Sequence, residues 1–131
     1  MTYSPPPKSL VLYADDDADD RELIYEAFNK YSSNIELITF TEGAELLHFI
    51  DDIEPLAPRP CLIILDVNMP RLDGKQALQR IRMMNDFKEV PVVLFTTSTL
   101  PSESAFAKAF NAGFVTKPLH SRQIHLIINE F

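Results

Sequence analysis

Residues 61–70 of the chain read Cys61-Leu62-Ile63-Ile64-Leu65-Asp66-Val67-Asn68-Met69-Pro70. The five apolar residues at 61–65, bounded by turn-forming residues, predict a strand that is buried on both faces. A carboxylate at the end of such a strand costs free energy unless water, a cation or hydrogen-bond donors meet it. In open α/β sheets, the carboxyl ends of the strands are also where ligands bind. Asp66 is therefore the residue whose surroundings need an explanation.

Apolar runs and helical patterns alternate on both sides of this strand. Further strands are predicted at residues 10–14, 35–40, 92–96 and 114–116. A stripe of apolar residues at helical spacing follows each strand: Leu23, Ile24, Ala27, Phe28 and Tyr31, then Leu46, Leu47, Ile50 and Ile53, then Ala77, Leu78, Ile81 and Met84, then Ala105, Phe106, Ala109 and Phe110, and finally Ile124, Ile127, Ile128 and Phe131. The alternation predicts a doubly wound α/β fold with a five-stranded parallel sheet. The order 2-1-3-4-5 suits five strands and makes strands 1 and 3 neighbours.

Composition excludes several classes of protein. The chain has 131 residues, 46% apolar and 24% charged, which is typical of one globular domain. A net charge of −7 argues against nucleic acid or an anionic membrane as the main partner. No apolar stretch approaches the ~18 residues of a membrane span, and the start does not resemble a signal peptide, so we expect a cytoplasmic protein. Cys61 is the only cysteine, and its place in an apolar run predicts a buried, inert thiol.

The end of strand 1 carries consecutive acidic residues. Capping and first-turn acids of the next helix account for the later ones, Asp17, Asp19 and Asp20. Asp15 and Asp16 adjoin the strand itself, so the predicted order places them beside Asp66. Two carboxylates about 4 Å apart repel by roughly 4 kcal/mol at an effective dielectric constant near 20. Three oxygen ligands with room for water suit Mg²⁺ or Mn²⁺.

Two more polar residues end strands of the same sheet. Thr96 ends strand 4 and Lys117 follows strand 5. A threonine alone is usually structural there, and a lysine alone is usually solvated. Beside three carboxylates, however, a hydroxyl, an ammonium group and a cation are what a phosphorylated aspartate at position 66 requires, because they offset the charge of a transferred phosphoryl group.

These motifs together resemble a response-regulator receiver domain, the phosphoacceptor part of two-component signalling. The matching elements are Asp15-Asp16, Leu65-Asp66-Val67-Asn68-Met69-Pro70 with Asp73-Gly74, Thr96-Thr97-Ser98 and Lys117-Pro118. The resemblance extends from about Leu10 to the end of the chain. The run from Asp15 to Arg21 is similar to stand-alone receivers related to phytochrome-associated regulators, and the whole also resembles the chemotaxis response regulator. It implies a flavodoxin-like (βα)5 fold and a phosphoacceptor switch.

The resemblance also implies roles for particular residues. Asp66 is the phosphoacceptor, and Asp16, Asp66 and the backbone carbonyl of Asn68 bind Mg²⁺ (or Mn²⁺), with Asp15 acting through a bound water. The ammonium group of Lys117 pairs with the phosphoryl group, and the peptide bond from Lys117 to Pro118 is cis. Thr96 and Phe114 act as the switch, although packing explains Phe114 equally well. The side chains expected to line the approach to Asp66 are Asn68, Thr97 and Ser98.

Partners follow from the same resemblance. The phosphodonor is a sensor histidine kinase or a histidine phosphotransfer protein, and the output partner is unknown. We expect a short arm at residues 1–8, a receiver domain at 9–131, no output domain, and a monomer or a phosphorylation-dependent dimer. The protein is not an enzyme beyond its own Mg²⁺-dependent phosphorylation and dephosphorylation. The open alternative is a degenerate receiver that acts as a phosphorylation-independent interaction module.

The sequence departs from the family around helix 4. Thr96 and Lys117 are 21 positions apart, about one fewer than the usual pattern, and Asn111-Ala112-Gly113 replaces the expected Gly-Ala pair. Only 13 residues follow Pro118, which predicts a short final helix.

Other functions on related folds fit less well. An FMN carrier needs a loop after strand 1 that binds phosphate through its backbone, whereas this loop is acidic. A Mg²⁺-dependent phosphatase usually carries Asp-x-Asp after strand 1, whereas here Asp-x-Asn follows strand 3. The histidines form no convincing metal site, and solvent exposure or a position at a helix end is expected for His48, His120 and His125.

Overall fold

The computed structural model describes residues 8–31 and 34–130. Strands and helices alternate along the chain. Their bounds are β1 Ser9–Ala14, α1 Ala18–Tyr31, β2 Ile35–Phe40, α2 Gly43–Asp51, β3 Leu62–Asp66, α3 Gly74–Met83, β4 Val92–Thr96, α4 Pro101–Ala109, β5 Gly113–Thr116 and α5 Ser121–Glu130, with a 3-10 turn at Asn85–Phe87. Most of the predicted N-terminal arm (residues 1–7) and Phe131 lie outside the described residues.

The five strands form one parallel sheet in the order β2-β1-β3-β4-β5, which confirms the predicted fold. β1 and β3 are neighbours, with Val11 opposite Leu62 and Ala14 opposite Leu65. Asp15 and Asp66 therefore leave adjacent strands at the same edge of the sheet. Within the described residues, no helix is long and apolar enough to cross a membrane.

The sheet is buried on both faces because successive side chains of each strand point to opposite sides. Val11, Tyr13, Leu62 and Ile64 pack with residues of α1 and α5 in one core. The alternate residues of the same strands pack with α2 and α3 in the second core, which also contains Ala107 of α4. The same alternation assigns each residue at the strand ends to one face of the sheet.

The face of helix α4 that packs on the protein differs in part from the predicted apolar stripe. Ala105 and Ala109 are exposed, whereas Ala107 is buried and Phe106 is half-buried. The stripe that faces the protein begins at Glu103, whose carboxylate lies 2.9 Å from the Lys75 ammonium of α3. Phe106 and Phe110 pack against the core as predicted, but the apolar pattern was wrong for the two alanines because a charged residue occupies one position of the stripe.

The prediction for Cys61 was also wrong in part. Cys61 precedes β3 and is half-buried, and its backbone N–H donates to the Leu10 carbonyl at 2.9 Å. Partial burial raises the pKa of its thiol, which disfavours the reactive thiolate.

Candidate functional site

Three charged side chains meet where β1, β3 and β5 end. The Lys117 ammonium lies 3.0 Å from Oδ2 of Asp15 and 3.3 Å from Oδ1 of Asp66. Asp15 and Asp66 are almost fully buried, and the Lys117 side chain is 10% exposed. The three side chains lie on the same side of the sheet because alternate residues of a strand share a face. Residues 15, 66 and 117 each come two positions after a strand residue that faces α1 and α5.

The carboxylates of Asp15, Asp16 and Asp66 form the predicted acidic cluster. Each offers one oxygen, and these oxygens all lie within 4.8 Å of one another. Asp16 is exposed, which leaves the cluster open to solvent on one side. A set of carboxylate oxygens with one solvent-facing side fits a hard cation that keeps some of its waters, as Mg²⁺ does. These residues therefore fit the metal ion that the sequence predicted.

Electrostatics distinguish Asp66 from an ordinary surface carboxylate. Burial, reinforced by the charge of Asp15, raises the pKa of Asp66 from 3.8 to about 7, although the Lys117 charge opposes the shift. Burial alone lowers the pKa of Lys117, but hydrogen bonds to Asp20 and Asp15 outweigh it and hold that pKa above its usual range. Lys117 therefore remains a cation beside the Asp66 carboxyl.

Asp20 belongs to this site as well, although its sequence position indicates only a first-turn acid. Its Oδ2 atom lies 2.6 Å from the Lys117 ammonium. The predicted capping role holds for Asp17, whose carboxylate accepts hydrogen bonds from the backbone N–H groups of Asp19 and Asp20. No sequence signal distinguished the two functions, because an acid in the first turn of a helix is common.

Tyr13 was predicted only as part of an apolar strand, yet it is a polar neighbour of the cluster. Its side chain is fully buried, and its hydroxyl donates to Oδ2 of Asp15 at 2.6 Å. Oδ1 of Asp15 accepts the backbone N–H of Asp17 at 2.9 Å. Burial and the Asp15 carboxylate raise the pKa of Tyr13 well above its usual range, so the phenol stays protonated and acts as a donor.

Thr96 and Phe114 lie on the opposite face of the sheet, towards the second core. Thr96 is fully buried, and its hydroxyl accepts the backbone N–H of Ser98 at 3.0 Å. Phe114 is half-buried and packs against the core that contains Leu94. Thr96 is paired with Thr116, two residues after Phe114. The two predicted switch residues thus share one face, and Phe114 also has the packing role that is the alternative to switching.

Asn68 and Thr97 lie together above the strand ends. The Asn68 side-chain amide donates to the Thr97 hydroxyl at 3.5 Å, and both groups are exposed. Ser98 accepts the backbone N–H of Leu100 at 3.2 Å, which ties its hydroxyl to the start of α4. The residues predicted to line the approach to Asp66 thus follow β3 and β4 at the correct edge of the sheet. The bond between Lys117 and Pro118 is cis, as expected.

The loop after Asp66 is held by a close contact with α3. The backbone N–H of Gly74 donates to the Val67 carbonyl at 3.0 Å. The carboxylate of Asp73 and the side chain of Gln76 form a capping box that begins the helix. Gly74 has no left-handed conformation to explain it, but a Cβ atom there would lie 2.9 Å from the Val67 Cα. Position 74 therefore needs glycine, because any side chain would collide with the backbone of the loop after Asp66.

Arg82 braces the region where the sequence departs from its family. Its guanidinium donates to four backbone carbonyls at 2.7–3.1 Å, those of Phe87, Val90, Phe110 and Asn111. Asn111 has φ 53°, the left-handed conformation that commonly ends a helix. Arg82 therefore joins α3 to the loop before β4 and to the end of α4.

Within the described residues, the acidic cluster includes none of the three histidines. His48 is exposed and lies 3.5 Å from the Asp52 carboxylate, and the ring of His125 stacks on Tyr31 at 4.4 Å between centroids. His120 is exposed just before α5. The expected exposure or helix-end placement of these three residues is confirmed.

The arrangement of acids, hydroxyl and lysine at one sheet edge agrees with comparison to known proteins. The family profile described as "Response regulator receiver domain" matches residues 11–129. The chain belongs to this family. Within it, the chain is 38% identical over 97 residues to the response regulator Rcp1 of Synechocystis, and the match covers 72% of this chain and 65% of Rcp1.

Three solved receiver structures superpose closely on this chain. The phosphorylated cyanobacterial phytochrome response regulator RcpA has a TM-score of 0.79 at 26% identity, covering 94% of this chain and 90% of that one. The chemotaxis response regulator CheY4 of Vibrio cholerae has a TM-score of 0.80 at 27% identity, covering 94% and 98%. The Mn²⁺-bound form of Rcp1 has a TM-score of 0.78 at 26% identity, covering 93% and 90%.

The chain spans less than two thirds of the length of several of the curated relatives that it matches. The matched share is 65% for Rcp1, 31% for a protein-glutamate methylesterase of Trichodesmium erythraeum and 15% for the sensor histidine kinase CheAY of Helicobacter pylori. The shared part is the receiver of two-component signalling, which histidine kinases phosphorylate. Nothing in the described residues favours the phosphorylation-independent module.

Proposed function

We propose that Asp66 is the phosphoacceptor of this receiver and that it reacts in the presence of Mg²⁺. The observation that carries the proposal is the placement of Lys117, whose ammonium lies within 3.3 Å of both Asp66 and Asp15 at the open end of the sheet. The Mn²⁺-bound form of the similar Rcp1 supports a divalent cation at the acidic cluster.

In this reaction an oxygen of Asp66 attacks the phosphorus atom of the donor, and the bond from phosphorus to the leaving group breaks. Lys117 offsets the negative charge on the transferred group, and the Thr96 hydroxyl turns from Ser98 to donate to a phosphoryl oxygen. Asp15, Asp16, Asp66 and the backbone carbonyl of Asn68 would hold Mg²⁺, which supplies further charge neutralisation. Asn68, Thr97 and Ser98 control the access of the attacking water that later removes the phosphoryl group.

The same proposal covers the partners and the setting. The donor is a sensor histidine kinase or a histidine phosphotransfer protein in the cytoplasm, and residues 9–131 act as one receiver with residues 1–8 as an arm. Its only catalysis concerns its own phosphorylation and dephosphorylation. Output passes to a partner protein, from a monomer or from a dimer formed on phosphorylation, through Thr96 and Phe114.

The test is phosphorylation by acetyl phosphate. With Mg²⁺, we expect intact mass spectrometry to show the addition of one phosphoryl group to the wild type and to Asp52→Asn, whose carboxylate is exposed directly after α2. Asp66→Asn should show none, because the amide is a poor nucleophile. Equal labelling of Asp66→Asn and wild type would refute the assignment.

A further inference from the structure

A buried hydroxyl lies next to the acidic cluster and has no role in the function proposed so far. It belongs to Tyr13, which is fully buried in β1 two residues before Asp15. Because alternate residues of a strand share a face, the Tyr13 and Asp15 side chains lie on the same side of the sheet. The ring is fixed by packing, with its edge against Phe95 at 5.9 Å between centroids and an interplanar angle of 66°.

The Asp15 carboxylate is held by protein donors at both oxygens. Oδ2 accepts the Tyr13 hydroxyl at 2.6 Å and the Lys117 ammonium at 3.0 Å, and Oδ1 accepts the Asp17 N–H at 2.9 Å. Within the described part of the chain, the Asp16 carboxylate accepts no such bond. One carboxylate of the cluster is therefore fixed and another is free to adjust to a ligand.

Of the two side chains that donate to the Asp15 carboxylate, Tyr13 has the more fixed position. Lys117 divides its ammonium among Asp15, Asp20 and Asp66, so its contact with Asp15 changes whenever either of the other two changes partner. The Tyr13 hydroxyl has one acceptor, and its ring is locked in the core. A rigid donor behind a metal-binding carboxylate orients it, and removal of such donors typically weakens metal binding by 10–100-fold.

We propose that Tyr13 is a positioning residue of the metal site, whose hydroxyl holds the Asp15 carboxylate in the orientation in which it shares the cluster with Asp16 and Asp66. This inference rests on the proposed Mg²⁺ dependence of the receiver. Strand patterning alone classes Tyr13 as part of the apolar core. We expect phenylalanine at position 13 to fill the core equally well, but the protein with this change should bind the cation less tightly.

The experiment is calorimetric titration of Mg²⁺ into the full chain. The variant Tyr13→Phe keeps the ring and its contact with Phe95, and Tyr25→Phe removes a phenol from the exposed face of α1 as the matched control. We expect wild type and Tyr25→Phe to bind Mg²⁺ equally, and Tyr13→Phe to bind it about tenfold more weakly. Equal or tighter binding by Tyr13→Phe, alongside binding by wild type, overturns the role of Tyr13 alone. Absence of binding by wild type overturns the metal site itself and the role of Tyr13 with it.

A second measurement separates positioning from a general effect on the fold. In an Asp15→Ala background, Tyr13→Phe should change the Mg²⁺ affinity by less than about twofold, because the carboxylate through which it acts is gone. A further tenfold loss in that background overturns the proposal.

In phosphorylation by acetyl phosphate, Tyr13→Phe should raise the Mg²⁺ concentration for half-maximal rate about tenfold and leave the rate at saturating Mg²⁺ within about twofold of wild type. A loss of the saturated rate alone contradicts it.

Discussion

The Nζ atom of Lys117 lies 2.6 Å from Oδ2 of Asp20, closer than it lies to Asp15 at 3.0 Å or to Asp66 at 3.3 Å. The first turn of α1 thus provides a carboxylate for the ammonium group to which we assign the phosphoryl group. Asp20 is 22% exposed at its side chain, so the pair is partly screened by solvent but is held on a rigid helix. If Asp66 is the phosphoacceptor as we propose, Asp20 and the phosphoryl group would compete for Lys117.

Replacement of Asp20 should therefore favour the phosphorylated state. With Asp20→Asn, we expect beryllofluoride, an analogue of the phosphoryl group, to bind about fivefold more tightly in the presence of Mg²⁺, which corresponds to about 1 kcal/mol. Asp19→Asn, one residue earlier and exposed, should bind it as the wild type does. Fluorine NMR titration measures both affinities. Weaker binding by Asp20→Asn would mean that Asp20 holds Lys117 in its working position instead of competing for it.

Asp66 should reduce stability at neutral and alkaline pH in the absence of metal. Its pKa is about 7 in the folded protein and 3.8 otherwise, so the folded state binds its proton more tightly than the unfolded state. The stability that this carboxyl contributes is fully present below pH 3.8 and is lost as the pH rises to about 7. Asp66→Asn removes the ionisation, so the variant should be more stable than wild type by about 2 kcal/mol at pH 8, less than the full shift would give because a partner of Lys117 is also lost.

Urea unfolding at a series of pH values, with EDTA present, measures this difference. The advantage of Asp66→Asn should shrink steadily from pH 7 to pH 4. Asp52→Asn, which changes an exposed carboxylate, serves as the control at each pH. An advantage that does not depend on pH would contradict the raised pKa.

Arg82 should stabilise the corner between α4 and β5. Lysine at this position keeps the charge but has no planar fork with which to donate to four carbonyls, so Arg82→Lys should lower the free energy of unfolding by about 2 kcal/mol. Hydrogen exchange should increase most at residues 110–113. Arg80→Lys, exposed on the same helix, should change neither quantity. Unchanged exchange at residues 110–113 in Arg82→Lys would show that other contacts hold this corner.

The sequence predicted the strand-end residues of the site because each directly follows an apolar run. Such a run fixes both the strand and the edge of the sheet at which the next residue lies, and Asp66 and Lys117 are found there. Asp20 and Tyr13 were assigned other roles because the positions they occupy have ordinary explanations, a first-turn acid and a residue of a buried strand. Their contacts with the site depend on the packing of α1 and on which way a single hydroxyl points, and no spacing rule encodes either.

Gly74, the first residue of α3, should not tolerate a side chain beside the loop that follows Asp66. A Cβ atom there would meet the carbonyl group of Asp66 and lie 2.9 Å from the Val67 Cα, and backbone atoms have no freedom to move aside as a side chain would. Gly74→Ala should therefore lower the free energy of unfolding by about 3 kcal/mol, although alanine is the better helix former. Gln79→Ala, at an exposed position of the same helix, should be neutral within about 0.5 kcal/mol in the same urea titration.

Because the clash lies on the backbone of Asp66 itself, folded Gly74→Ala should also accept a phosphoryl group from acetyl phosphate more slowly than wild type. If Gly74→Ala is stable and is phosphorylated at the wild-type rate, α3 can shift away from the loop after Asp66 without changing the reactivity of Asp66.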